Sequence, residues 1–173
     1  MPIETDEYKR LLNKAAAYAA KAERSPREVA EKVRQWAHEP IEEQELQKII
    51  EDLRQDHFVD EERYARHYTA DKVRFLKKGP LLIRRELAQK GIPSPIIDQA
   101  LLAISDETWA DALVQYLLPK ADSYRQKSDS DYHYRARLMQ AAYLRGYPME
   151  LAEVAIDSPE LTIDNPHNDD KWY

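Results

Sequence analysis

Glycine stands at only three places in this 173-residue chain, 79, 91 and 146, and each falls where a helical pattern stops. A chain with so few freely turning residues must make its turns from prolines and caps, and its long periodic stretches read as helices between them. Gly91-Ile92-Pro93 and Gly146-Tyr147-Pro148 lie 55 residues apart, and the correspondence runs into their flanks. Ile83 matches Leu138, Lys90 matches Arg145, Ile96 matches Leu151, Ala100 matches Ala155 and Leu101 matches Ile156. Ser25 to Leu53 follows the same plan, with Val29 and Val33 in the places of Ile83 and Leu87, although Gln35-Trp36 replaces the Lys-Gly step. Repetition of this kind implies stacked helical units that share a core.

The units can be followed in order. Tyr8, Leu11, Leu12, Ala15, Ala19 and Ala22 predict a helix over residues 6–23. Ser25-Pro26-Arg27-Glu28 has the form of a capping box with proline at the first helical position, and Val29, Val33 and Trp36 give the helix after it one apolar face. A third helix is expected over 42–56 on Leu46, Ile49, Ile50 and Leu53. Asp60 is placed to cap a fourth, on which Tyr64, Ala65, Tyr68, Phe75 and Leu76 project to one side. Arg63, His67, Arg74 and Lys77 project within about 40° of a different direction. Gly79-Pro80, Gly91 and Ser94-Pro95 delimit two more helices. In the third unit Ser105 or Asp106 opens a helix bearing Trp109, Leu113, Tyr116 and Leu117, with Pro119 as its limit and 120–130 as a loop or frayed end. Asp131 to Leu144 and a short helix ending at Ile156 complete the plan, and the acidic stretch from Asp157 lacks periodicity, which predicts a mobile tail. The expected fold is all-α, with three-helix repeats over 1–58, 59–104 and 105–156 and a tail over 157–173.

Charge is strongly segregated in this chain of net charge −6. Residues 41–62 carry nine acidic side chains against Lys48 and Arg54, whereas 63–90 carry nine basic ones against Asp71 and Glu86. Such a face can meet a polyanion while the whole chain stays acidic. The candidate contacts for DNA or an acidic partner are Arg63, Arg66, Arg74, Lys77, Lys78, Arg84, Arg85 and Lys90. A second grouping, Tyr132, His133 and Tyr134 beside Arg125, Lys127, Arg135 and Arg137, also has the composition of a binding surface.

Other chemistries have little to stand on. With no cysteine there is no thiolate metal site or thiol nucleophile, and His57, His67, His133 and His167 lack the spacings of a metal motif. Three separated glycines cannot build a phosphate loop, and no carboxylate pair stands out from a solvated helix face. Neither an enzyme nor a cofactor is expected. The polar, acidic start and the lack of a long apolar run predict a cytoplasmic protein without a membrane span.

Asp60-Glu61-Glu62-Arg63-Tyr64-Ala65, then Lys78-Gly79-Pro80, Ile83-Arg84-Arg85-Glu86-Leu87 and Lys90-Gly91-Ile92, resembles the central signature of the RecX family, bacterial regulators of the recombinase RecA. Ser25 with Glu28, Val29 and Val33 resembles the family's opening pattern, and Leu144-Arg145-Gly146-Tyr147 its closing one, so that the resemblance spans about residues 16–156. The chain departs from the family at Lys77-Lys78, where many members carry a further glycine, and in its first unit, which has none.

The resemblance implies tandem three-helix repeats in a curved array that binds RecA filaments on DNA and modulates ATP hydrolysis and strand exchange, with inhibition as the expected sign. It makes the basic face of the second unit the contact surface and binding to bare DNA weak, while capped terminal units make a monomer the simpler expectation. The competing readings are a helix-turn-helix-like DNA-binding module that acts without RecA, and a helical scaffold for another protein.

Overall fold

The structure, a computed structural model, describes residues 5–162. Among these residues the regular elements are all helical: α1 (Thr5–Ala19), α2 (Pro26–Trp36), α3 (Glu43–Gln55), α4 (Glu61–Leu76), α5 (Pro80–Gln89), α6 (Ser94–Leu102), α7 (Asp106–Gln126), α8 (Asp131–Leu144), α9 (Met149–Ile156) and α10 (Pro159–Thr162). The described residues form two compact units, one of residues 5–69 with Arg84–Ala103, the other of Ala70–Ile83 with residues 104–162. Both α4 and α5 are therefore shared, each giving one end to either unit.

The first unit is built on α1, α2 and α3, which pack pairwise. Leu11, Val29, Val33, Leu46, Ile49 and Leu53 are almost wholly buried and form its core with Tyr8, Trp36 and Phe58 at the margin. Each such aliphatic side chain contributes about 1.5–3 kcal/mol by leaving water. The Ser25 capping box forms in both directions: Ser25 Oγ accepts from Glu28 N–H at 3.2 Å, and Ser25 N–H donates to the Glu28 carboxylate at 2.8 Å. Asp60 caps α4 through its Oδ1, which accepts from Arg63 N–H at 2.9 Å.

Left-handed residues close several helices. After α5, Gly91 has φ +81°, Gly91 N–H reaches Ala88 O and Ile92 N–H reaches Leu87 O. After α8, Gly146 has φ +89°, and Tyr147 N–H reaches Ala142 O. The repeated glycines thus mark the same Schellman closure. His57 provides that closure after α3 with φ 60°, with Phe58 N–H donating to Leu53 O at 2.9 Å. After α4 it is Lys77, at φ 52°, that turns left-handed, and not Gly79. The helical projection of Lys77 beside Arg63 and Arg74 therefore fails, because α4 has already ended at Leu76. A lysine in this conformation pays about 1–2 kcal/mol that glycine would not, partly offset by the larger unfolded-state entropy of glycine. Lys77→Gly should raise stability by roughly 0.5–1 kcal/mol, read as a higher midpoint of urea unfolding at unchanged slope.

The expected apolar side of α4 holds only for its first half. Tyr64 and Ala65 are buried, but further on it is Thr69 and Val73 that turn inward, while Phe75 and Leu76 are exposed. The two halves pack into different units, so no single stripe runs the length of the helix.

In the second unit α7, α8 and α9 pack on one another around Leu113, Leu117, Leu138, Ala142 and Ile156, and α10 packs on α7. Two expectations are corrected here. Pro119 does not end α7, which continues through Gln126. The turn beyond the proline is held by tertiary contacts: Ala121 is buried, and the Arg125 guanidinium donates to Leu161 O at 2.8 Å. The stretch after Asp157 is also not wholly irregular, since α10 buries Leu161 completely. The rest of the expected tail, 163–173, lies outside the described residues.

Candidate interaction surface

The eight candidate cations divide between the two units: Arg63, Arg66, Arg84, Arg85 and Lys90 belong to the first, and Arg74, Lys77 and Lys78 to the second. In the first unit several are engaged. Arg63 donates to the Glu23 carboxylate at 2.6 Å and to His57 O at 3.2 Å. Arg84 pairs with Asp98 at 2.5 Å. Lys90 lies 3.4 Å from a Glu28 oxygen and 5.6 Å from the centroid of Tyr68, whose hydroxyl donates to Glu86 at 2.9 Å. Arg66 and Arg85 are exposed. In the second unit, Arg74 is exposed with its guanidinium 5.1 Å from the Phe75 ring centroid, and the Lys77 ammonium donates to Arg74 O at 2.7 Å. Lys78 is half-buried, with its N–H on Lys72 O at 3.1 Å.

Glu28 links the capping box to Lys90. Burial alone would raise its carboxyl, but the Ser25 N–H, the Lys90 charge and the Ser25 hydroxyl together hold it below the usual 4.5. A carboxyl depressed by folding stabilises the folded state above its unfolded value, and that contribution disappears as pH falls through the folded value. Glu28→Gln should therefore be less stable than wild type at pH 7, and the gap should close below about pH 4.5, as read from unfolding midpoints across pH.

The second grouping of aromatic and basic residues is largely consumed by the fold of the second unit. Tyr134 is buried, its hydroxyl donates to Leu161 O at 3.0 Å, and the Arg125 guanidinium lies over its ring at 4.7 Å. Arg135 pairs with Asp157 at 2.7 Å, Arg137 donates to Lys127 O at 3.1 Å, and the His133 ring bonds to Asp129. Tyr132 remains outside, 77% exposed.

A feature that the sequence reading missed lies in the same unit. The turn between α4 and α5 is fastened to the turn between α8 and α9. Gly79 N–H donates to Arg145 O at 2.9 Å, Leu81 N–H to Gly146 O at 3.0 Å, and the Tyr147 hydroxyl to Lys77 O at 3.1 Å. Arg145 adds a guanidinium bond to Leu76 O, while its charge lies 4.8 Å from the Tyr116 ring centroid. The backbones are so close that a Cβ on Gly79 would fall 2.3 Å from Gly146 C and O. Lys78-Gly79-Pro80 and Leu144-Arg145-Gly146-Tyr147, two separate signature stretches, are thus partners in one clasp.

Among the described residues no group of His, Cys, Asp and Glu is placed to hold a metal ion, and no helix is long and apolar enough to cross a membrane.

Helices closed by left-handed caps, with a basic central segment, define an all-helical protein built from short helical units. Residues 60–101 match the model of the second three-helix domain of RecX. The regulatory protein RecX of Leuconostoc citreum is 28% identical over 166 residues, 96% of this chain and 60% of the relative. That of Geobacillus kaustophilus is 30% identical over 151 residues, 86% of this chain and 54% of the relative. The crystal structure of RecX from Lactobacillus salivarius superimposes with a TM-score of 0.79 at 25% identity, covering 91% of this chain and 98% of that one. In sequence and in fold the chain is thus similar to proteins of the RecX family. It spans about half to three-fifths of the length of these two curated relatives.

Proposed function

We propose that this chain binds the RecA filament on DNA and restrains its ATP hydrolysis and strand exchange, without catalysing a reaction itself. The observation that carries the reading is a coincidence in sequence: the family's second three-helix domain, matched over 60–101, contains a run from Lys72 to Arg85 with six basic residues and no carboxylate. Such a run suits the phosphates of a filament and acidic side chains between them. Arg66, Arg85 and Arg74, exposed on their helices, are assigned the leading contacts, with Lys77 and Lys78 at the turn. Arg63, Arg84 and Lys90 add charge while tying α4 to Glu23, α5 to Asp98 on α6, and the end of α5 to Glu28 on α2.

RecA-dependent ATP hydrolysis on single-stranded DNA should fall as the protein is added, and no change at saturating protein would sink the reading. Arg66→Glu with Arg85→Glu should weaken filament binding by about tenfold or more, equivalent to roughly 1.4 kcal/mol, with the wild-type salt slope reduced. Tight binding to bare duplex DNA, abolished by the same pair, would favour a DNA-binding module that acts without the recombinase.

A further inference from the structure

The clasp of the second unit draws together side chains that a helical core would ordinarily cover. Phe75 is 65% exposed, Leu76 42% and Leu81 48% on one segment, and Tyr143 71% and Leu144 72% on the other. Exposed leucines scattered singly need no explanation, but here five exposed large apolar groups all stand within two residues of a hydrogen bond of the clasp, so the edge of the clasp is rich in apolar groups that water does not favour. The charge of these segments has one sign. Neither 72–83 nor 136–149 contains a carboxylate, while the first holds four basic residues and the second holds Arg137 and Arg145.

We propose that this edge docks an acidic protein segment anchored by apolar side chains and that, in the filament reading on which this inference rests, the segment belongs to the recombinase and not to the DNA. Phosphates would be met by the cations alone. Three of the five apolar groups are leucines, which offer bases no ring to stack on but gain fully from covering by apolar side chains. An acidic segment with apolar anchors satisfies both halves of the edge at once.

Two variants on different segments test the edge, Tyr143→Ser with Leu144→Asp, and separately Phe75→Asp. All three side chains are mostly exposed, so the thermal midpoint should stay at the wild-type value. Each variant should bind RecA filaments on single-stranded DNA about tenfold more weakly or worse, and bind bare single-stranded DNA as the wild type does. An equal loss on bare DNA would assign the edge to nucleic acid and overturn the inference, as would an effect from one segment only. A change in sedimentation without a change in filament binding would assign it to a second copy of the chain, with the same consequence. If wild type binds filaments and both variants bind equally well, this inference alone fails; if wild type does not bind them, the proposed function fails with it.

Discussion

Gly146→Ala is expected to cost about 2–6 kcal/mol, a large fraction of the stability of an ordinary, marginally stable protein. Two independent penalties add at this position. The residue sits at φ +89°, where a side chain costs about 1–3 kcal/mol. Its Cβ would also fall 2.5 Å from Leu82 Cβ and 2.7 Å from Leu82 N, and relieving such overlap in a packed region costs about 1–3 kcal/mol more. Gly91→Ala is the matched control. Its φ of +81° carries a comparable strain, but the added Cβ meets only Arg27 Cβ at an ordinary 3.9 Å, so a loss of roughly 1–2 kcal/mol is expected. Gly79→Ala isolates the other penalty, because its difficulty is the approach to the Gly146 backbone. Urea unfolding of the three variants would separate the contributions. Equal losses at positions 91 and 146 would show that the clasp exerts no constraint beyond the backbone turn.

That comparison also marks the boundary of what could be read from residue order. Ser25 and Glu28 at capping-box spacing, and Gly91 and Gly146 after amphipathic helices, announce themselves because the chemistry that fixes them is local. Lys77 does not, since nothing in its side chain signals a left-handed turn; the family's preference for a further glycine nearby was the one available hint. Pro119 misled for the opposite reason, because a local rule about helix breaking was outweighed by Ala121 and Arg125 packing beyond it. The clasp was hidden for a third reason. It joins two turns far apart in sequence through backbone groups, which leave no pattern of apolar or charged side chains to detect. The candidate surface divides in the same manner. The basic run and its family signature could be read directly, but the engagement of Arg63, Arg84 and Lys90 depends on Glu23 in the connection before α2, Asp98 on α6 and Glu28 on α2.

Leu161→Ala provides the sharpest test of where the packed fold ends. A mobile acidic tail beginning at Asp157 would make this substitution silent. In the structure Leu161 is fully buried against the second unit, and its carbonyl accepts from both the Tyr134 hydroxyl and the Arg125 guanidinium, at 3.0 and 2.8 Å. Those two bonds satisfy the polar ends of side chains that stand on α8 and on the part of α7 beyond Pro119. Truncation of a buried leucine costs about 2.7–5 kcal/mol, according to how far the site can collapse. A loss near 3 kcal/mol is expected here, because α10 is a single turn at the margin and can settle inward. The unfolding slope should be unchanged, since the carbonyl bonds are made by the backbone and survive the substitution. A loss below about 0.5 kcal/mol, the range of an ordinary surface change, would remove α10 from the fold and with it the explanation for the continuation of α7 past its proline.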